Sequence, residues 1–313
     1  MKRLLFFVYG VTCYLLFLGI FAYMAGFAGN FLVPKSIDSI DAAASAETTV
    51  PLAVAVIINI TLLSLFALQH SVMARPAFKR IWTQIVPEPI ERSTYVLLTC
   101  VVTALLMWRW QPMNAVVWDV HTPWLRSTLW TMFAIGWLAV PLVSLLINHF
   151  DLFGLRQVWL YLRGKEYAPL PFRTPLVYRR VRHPLYLAWA MFFWATPTMT
   201  AGHLLFAGVL TLYMGLAAIV EERDLIAHFG EQYRAYRRRV PMFVPNLGAT
   251  SEAAATATTN NGVTETAAAT TTGNSASSAA RVPAPSRGCG CLPAAITSDN
   301  ESVFGGDTEV CNA

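Results

Sequence analysis

Apolar residues run along this chain in long unbroken blocks rather than alternating with polar ones. Blocks suited to helices crossing the hydrocarbon of a bilayer fall at about 4–27, 50–72, 94–108 and 128–148. A further pair, about 185–198 and 203–220, is divided by Thr196-Pro197-Thr198-Met199-Thr200-Ala201-Gly202, whose proline and glycine predict a turn between two antiparallel helices. Lys2-Arg3 precede the first block as they would in a signal peptide. Its apolar stretch is too long for one, however, and no small-residue cleavage site follows before Asn30, so a retained helix is expected. After Pro245 the chain turns to Ala, Thr, Ser, Asn and Gly, with no aromatic residue until Phe304. Such a segment buries too little surface to offset chain entropy. The expectation is an all-α, polytopic membrane helix bundle of five to six membrane segments over 1–247, ending in a helical hairpin, then a disordered tail over 248–313 of no catalytic consequence.

Composition supports that class. Of 313 residues 55% are hydrophobic and 13% charged, and the mean hydropathy is +0.47; an average soluble domain carries roughly 25% charged residues. A wholly disordered chain is excluded, and a nucleic-acid partner is not expected. The net charge of +5 divides into −4 on residues 248–313 and +9 on the rest. If the N-terminus is inside, the inner segments carry two, four, seven and five Lys or Arg, 18 in all, against Lys35, Arg109 and Arg126 outside. That asymmetry predicts both termini in the cytosol and an even number of crossings. Five cysteines form no disulfide framework; Gly-Cys-Gly-Cys at 288–291 is a weak signal for a metal or redox pair, and Cys311 stands too near the end for prenylation. No metal site is expected.

Polar groups at the inner membrane edge carry the candidate chemistry, because charge at that depth is costly. In Arg179-Arg180-Val181-Arg182-His183-Pro184-Leu185-Tyr186 the proline suits a first helical position, which puts His183 at the cap and Arg182 beside free N–H groups, a setting for a carboxylate or phosphate. A basic rim on lipid headgroups reads the same arginines equally well. Glu221 and Glu222 close the last apolar block and must point about 100° apart. One is suited to a sugar diol or a cation while the other pairs with an arginine; salt bridges at a helix end are the plainer reading. Beyond a break at Gly230, Tyr233, Tyr236 and Arg237 share a helical face, which also fits a helix lying on anionic lipid.

The order Arg-His-Pro-x-Tyr, a helical hairpin, Glu-Glu, then Phe-Gly-x-x-Tyr-x-x-Tyr with a closing Val-Pro resembles the isoprenylcysteine carboxyl methyltransferase family over roughly 170–245. The resemblance implies S-adenosylmethionine bound at the cytosolic face by Arg182, His183, Pro184, Tyr186, Glu221 and Glu222, with Tyr233, Tyr236 and Arg237 as a lid. Upstream, 68–76, 89–95 and 148–157, together with 183–200, resemble the methanethiol S-methyltransferases of bacteria over nearly all of 1–247. This implies methylation of methanethiol to dimethyl sulfide in a bacterial inner membrane, with a small volatile thiol and membrane lipid as the partners.

Methyl transfer to sulfur needs a thiolate, and an alkyl thiol with a pKa near that of cysteine, about 8.5, is mostly protonated at neutral pH. His70 and His149, at inner helix ends, and Asp151 are the candidate catalytic groups, although interfacial hydrogen bonding explains both histidines as readily. Hydrogen sulfide, another small thiol or a prenylcysteine carboxylate remain open as acceptors. So do a non-enzymatic haem or metal protein of the denitrification-associated type, despite the lack of a His-x3-His pair, and more distantly a sterol-reductase-like role. The sequence leaves the oligomeric state open.

Overall fold

The structure is a computed structural model and describes residues 1–39, 50–168 and 174–244. The segment 248–313, expected as a tail, and its cysteines lie outside the described residues. Five helices are long and apolar enough to cross a membrane: α1 (Lys2–Gly29), α2 (Leu52–Ala74), α4 (Glu88–Arg109), α5 (Pro123–Ile147) and α9 (Ala201–Phe229). Between them lie the short helices α3 (Pro76–Trp82), α6 (His149–Leu152) and α7 (Leu155–Leu162), a 3-10 turn at Leu176–Arg179, α8 (Pro184–Trp194) and, after α9, α10 (Glu231–Arg239). Two short strands, β1 (Val116–Asp119) and β2 (Thr198–Thr200), make the only sheet among the described residues. Leu5, Leu15, Ile57, Leu68, Leu142 and Leu212 point outward from the bundle, as a lipid-facing surface requires. The protein is an integral membrane helix bundle.

A sixth pass is built differently. With eleven residues, α8 covers about 16 Å, half a bilayer core. The chain bends at 195–197, where Thr196 N–H donates to the Trp194 carbonyl at 2.9 Å, and then runs as strand over 198–200. Val116 pairs with Thr200, Trp118 with Met199 and Asp119 with Thr198, antiparallel and with a bulge between Val116 and Trp118. Of the 196–202 stretch expected as a hairpin turn, Thr198–Thr200 form strand β2 and α9 begins at Ala201. Irregular backbone at membrane depth survives only when buried in protein with its polar groups satisfied. Residues 195–197, 199 and 200 are buried; Trp118 donates to the Thr196 carbonyl at 3.2 Å and Val120 to that of Pro197 at 2.9 Å. Thr200 accepts the His203 N–H at 3.1 Å and donates to Asp38 at 2.6 Å, so it caps α9 and ties it to the α1–α2 loop.

An aromatic cluster of Phe27, Trp110, Phe133, Phe192 and Phe206 packs toward the β1–β2 end of the bundle. There α5 and α8 approach so closely that a Cβ on Gly136 would lie 2.6 Å from the Phe192 nitrogen. Near the opposite end Gly154 adopts φ +84°, and a Cβ there would press on the Ser93 nitrogen at 2.8 Å, so glycine seats α7 against α4. The membrane helices follow the apolar blocks, except that α4 starts at Glu88 instead of 94, α5 starts at Pro123 instead of 128, and α9 runs on to Phe229 instead of 220. Pro89 is tolerated in the first turn of α4, and the buried Glu91 meets Lys79 at 3.6 Å. Gly136→Ala is expected to lower stability by about 1–3 kcal/mol, measured as an earlier thermal unfolding midpoint in detergent; an unchanged midpoint would contradict the close α5–α8 contact.

Candidate active site

The end of the bundle where α8 begins and α9 finishes gathers most of the sequence-derived candidates. Pro184 occupies the first turn of α8, with His183 as its N-cap. The last described residues return to this point: Arg182 N–H donates to the Pro241 carbonyl at 2.9 Å and His183 N–H to that of Met242 at 3.2 Å. Gly230, at φ +56°, turns the chain from α9 into α10, whose Tyr233 and Tyr236 pack with Leu225 and Val240. Tyr236 donates to the Tyr178 carbonyl at 2.6 Å. Burial pushes the hydroxyls of Tyr178, Tyr233 and Tyr236 upward, so these groups stay protonated and donate.

The acidic doublet divides into two roles. Glu222, with a side chain 4% exposed, faces Arg182 Nε at 2.6 Å, His183 Nε2 at 3.2 Å and Arg237 Nε at 3.2 Å. Arg182 also donates to the carbonyls of Val240 and Arg237. Removing a buried carboxylate from such a group would leave charges unpaired, which makes Glu222 the tie between α8, α9 and the returning strap. Glu221 points elsewhere. It accepts the Tyr186 hydroxyl at 2.9 Å and lies 3.8 Å from His183 Nδ1. The His183 and Tyr186 rings stack at 5.3 Å, 11° from parallel, with Phe243 5.9 Å from His183.

Glu221, Tyr186 and His70 are surrounded by protein on nearly every side, yet each keeps some accessible surface. Tyr186 lies within electrostatic reach of Tyr95 and Tyr213, so these partly accessible groups stand together at this end of the bundle. The Tyr95 hydroxyl lies 2.9 Å from the His70 ring, and Arg92 stands 4.8 Å over the Tyr95 ring. Tyr213 hydrogen-bonds Ser71 at 3.0 Å, and Arg75 pairs with Asp224. Carboxylate, guanidinium and stacked ring faces at one end of the bundle complement a ligand that carries a cation, an anion, hydroxyls and a flat heterocycle.

His149 and Asp151 stand apart from this group. Ser144 spends its hydroxyl proton on the Pro141 carbonyl at 2.8 Å. The 2.7 Å contact between Ser144 and His149 Nδ1 therefore has the ring as donor, and Nε2 accepts from Tyr14 at 2.7 Å. Burial lowers the His149 pKa, in keeping with a neutral ring whose two nitrogens are both engaged. Asp151 pairs with Arg156 at 3.0 Å and accepts from Tyr167, whose hydroxyl is pushed up to about 12 by burial and by that carboxylate. Phe66, Tyr95 and Tyr213 were not singled out in the sequence. Their one signal was a hydroxyl or a ring among the apolar residues of a membrane helix, which reads as core.

The chain is 52% identical over 245 residues to a protein of Mycobacterium tuberculosis named methanethiol S-methyltransferase, spanning 78% of this chain and 98% of that one. It is 47% identical over 251 residues to the methanethiol S-methyltransferase of Crocosphaera subtropica, covering 80% and 96%. Nurim of Rattus norvegicus is 31% identical over 176 residues, 53% of this chain and 66% of that one. No family model matches the chain, and no solved structure matches it.

The division between the two glutamates has a thermodynamic consequence. Glu222→Ala is expected to lower stability by about 3–5 kcal/mol, and Glu221→Gln, which keeps an acceptor for Tyr186, by about 1 kcal/mol or less. Thermal unfolding of both variants in detergent measures this; equal losses would contradict it.

Proposed function

Since the chain belongs to the methanethiol S-methyltransferase family, we propose that it methylates methanethiol with S-adenosylmethionine, giving dimethyl sulfide and S-adenosylhomocysteine. The observation that carries this reading is the grouping of the partly accessible Glu221 carboxylate with His183 and Tyr186, and beyond Tyr186 of Tyr95 and His70, at the end of the bundle where α8 begins.

The groups present fit the donor's chemistry. Glu221 accepts one hydrogen bond, from Tyr186, and its remaining lone pairs suit ribose hydroxyls or an ammonium group. Arg237, half-exposed beside Glu222, suits the amino-acid carboxylate, and the His183, Tyr186 and Phe243 rings suit adenine. Arg182, Pro184 and Glu222 hold the α8 start and the strap in register, and Tyr233 and Tyr236 anchor the strap from below. When bound, S-adenosylmethionine supplies a methyl group on a positively charged sulfur, an electrophile toward thiolate.

His70 accepts the thiol proton, oriented by Tyr95, and the Arg92 guanidinium behind Tyr95 favours negative charge on the acceptor. Cationic donor and thiolate neutralise one another as the methyl passes, so a dry site favours the step, and alignment alone supplies several kcal/mol. His149 and Asp151 act as positioning residues: the first ties the α5–α6 corner to α1, the second holds α7 and its following loop. The 18-to-3 distribution of Lys and Arg supports a bacterial inner membrane location with both termini cytosolic. Residues 1–247 are the catalytic domain on this reading, and 248–313 are dispensable.

Cells expressing residues 1–247 and fed methanethiol are expected to release dimethyl sulfide into the headspace, measured by gas chromatography; no release above the empty host overturns the proposal. Glu221→Ala and His183→Ala are expected to weaken donor binding tenfold or more, about 1.4 kcal/mol. His70→Ala should lower kcat by about 10²–10⁴, and His149→Ala less, both with donor binding kept in isothermal titration.

A further inference from the structure

The rings around His70 form a more specific arrangement than a proton acceptor needs. Phe66, one helical turn earlier on α2, stacks on the His70 ring at 5.5 Å and 19°. Tyr95 from α4 covers His70 from another side at 5.3 Å between centroids. Tyr213 from α9 meets Phe66 edge-on at 6.2 Å and is pinned through its hydroxyl to Ser71. Tyr186 from α8 stands within electrostatic reach of both Tyr95 and Tyr213.

Each hydroxyl in this group has an assigned partner: Tyr213 with Ser71, Tyr95 with His70, Tyr186 with Glu221. What the rings offer a ligand is aromatic carbon and one imidazole. Such a lining suits a small apolar thiol, because sulfur packs well on aromatic rings. The rings come from four helices and are held in place by these hydrogen bonds and stacks.

We propose that Phe66, His70, Tyr95 and Tyr213 form the acceptor pocket, and that Phe66 determines how long a thiol it accepts, restricting it to the one-carbon compound. This rests on the methyl-transfer reading above, with His70 taking the thiol proton as the new carbon–sulfur bond forms and the donor's bond breaks. A single methylene in an apolar pocket is worth about 10–200-fold in discrimination.

The test is a thiol-length series (methanethiol, ethanethiol, 1-propanethiol) on the full chain and on Phe66→Ala and Phe66→Leu, with S-adenosylmethionine affinity measured separately by isothermal titration without thiol. The parent is expected to prefer methanethiol over ethanethiol by tenfold or more in kcat/KM. Phe66→Ala should close that gap by about tenfold and raise the methanethiol KM several-fold, with Phe66→Leu between the two and donor affinity within twofold of the parent for both. Variants that keep the parental length profile, or that lose donor binding and all thiols alike, overturn the pocket assignment alone. A parent that binds no donor or methylates no thiol overturns the functional reading, and this assignment with it.

Discussion

A carboxylate buried at the end of a membrane helix has to be neutralised where it stands, and the end of this protein where α8 begins and α9 finishes is organised around doing so for Glu222. Its partners come from three places in the chain: Arg182 and His183 at the start of α8, and Arg237 on α10. Satisfying them folds 240–243 back over the helix start, where the Pro241 and Met242 carbonyls take the Arg182 and His183 N–H groups. Because Glu222 absorbs the arginines, the adjacent Glu221 is left with a tyrosine. The two residues differ by one position, and the helix rotation between them sends one carboxylate to the arginines and the other to Tyr186.

The other end of the bundle makes that arrangement possible. Since α8 is only half a membrane span, the helix start carrying His183 reaches the level of Glu222 only because 195–200 completes the pass as a bend and a short strand. Pairing with β1 and the Thr200 contacts to Asp38 and His203 hold that strand. At that same end the Phe27–Trp110–Phe206 cluster packs the helices together, and the tight α5–α8 contact at Gly136 fixes the position of α8. A methyl transfer that depends on alignment needs a scaffold of this rigidity.

Much of this was legible in the residues. The five long helices follow from unbroken apolar blocks, and Arg182-His183-Pro184 with Glu221-Glu222 marks one end of the bundle because charge there is hard to explain otherwise. The short helices α3 and α7 were missed: seven and eight residues at an interface give too little periodicity to see. The 196–202 stretch read as a turn because its partner strand is some eighty positions earlier, and strand pairing over that separation leaves no local trace. Which glutamate would pair was hidden for the same reason, since it depends on where the chain returns after Gly230. His70 and His149 looked alike in sequence; the packed structure gives His149 two separate partners, Ser144 and Tyr14, and sets both ring nitrogens of His70 against the single Tyr95 hydroxyl.

Photo-crosslinking of radiolabelled S-adenosylmethionine to the full-length protein, followed by peptide mapping, tests most directly whether the donor docks on the Glu221 side of this knot. Label confined to peptides within 178–194 and 217–243, and competed by excess S-adenosylhomocysteine, is the expected result. Competable label on the β1–β2 end of the bundle, or on peptides outside these two segments, would contradict it.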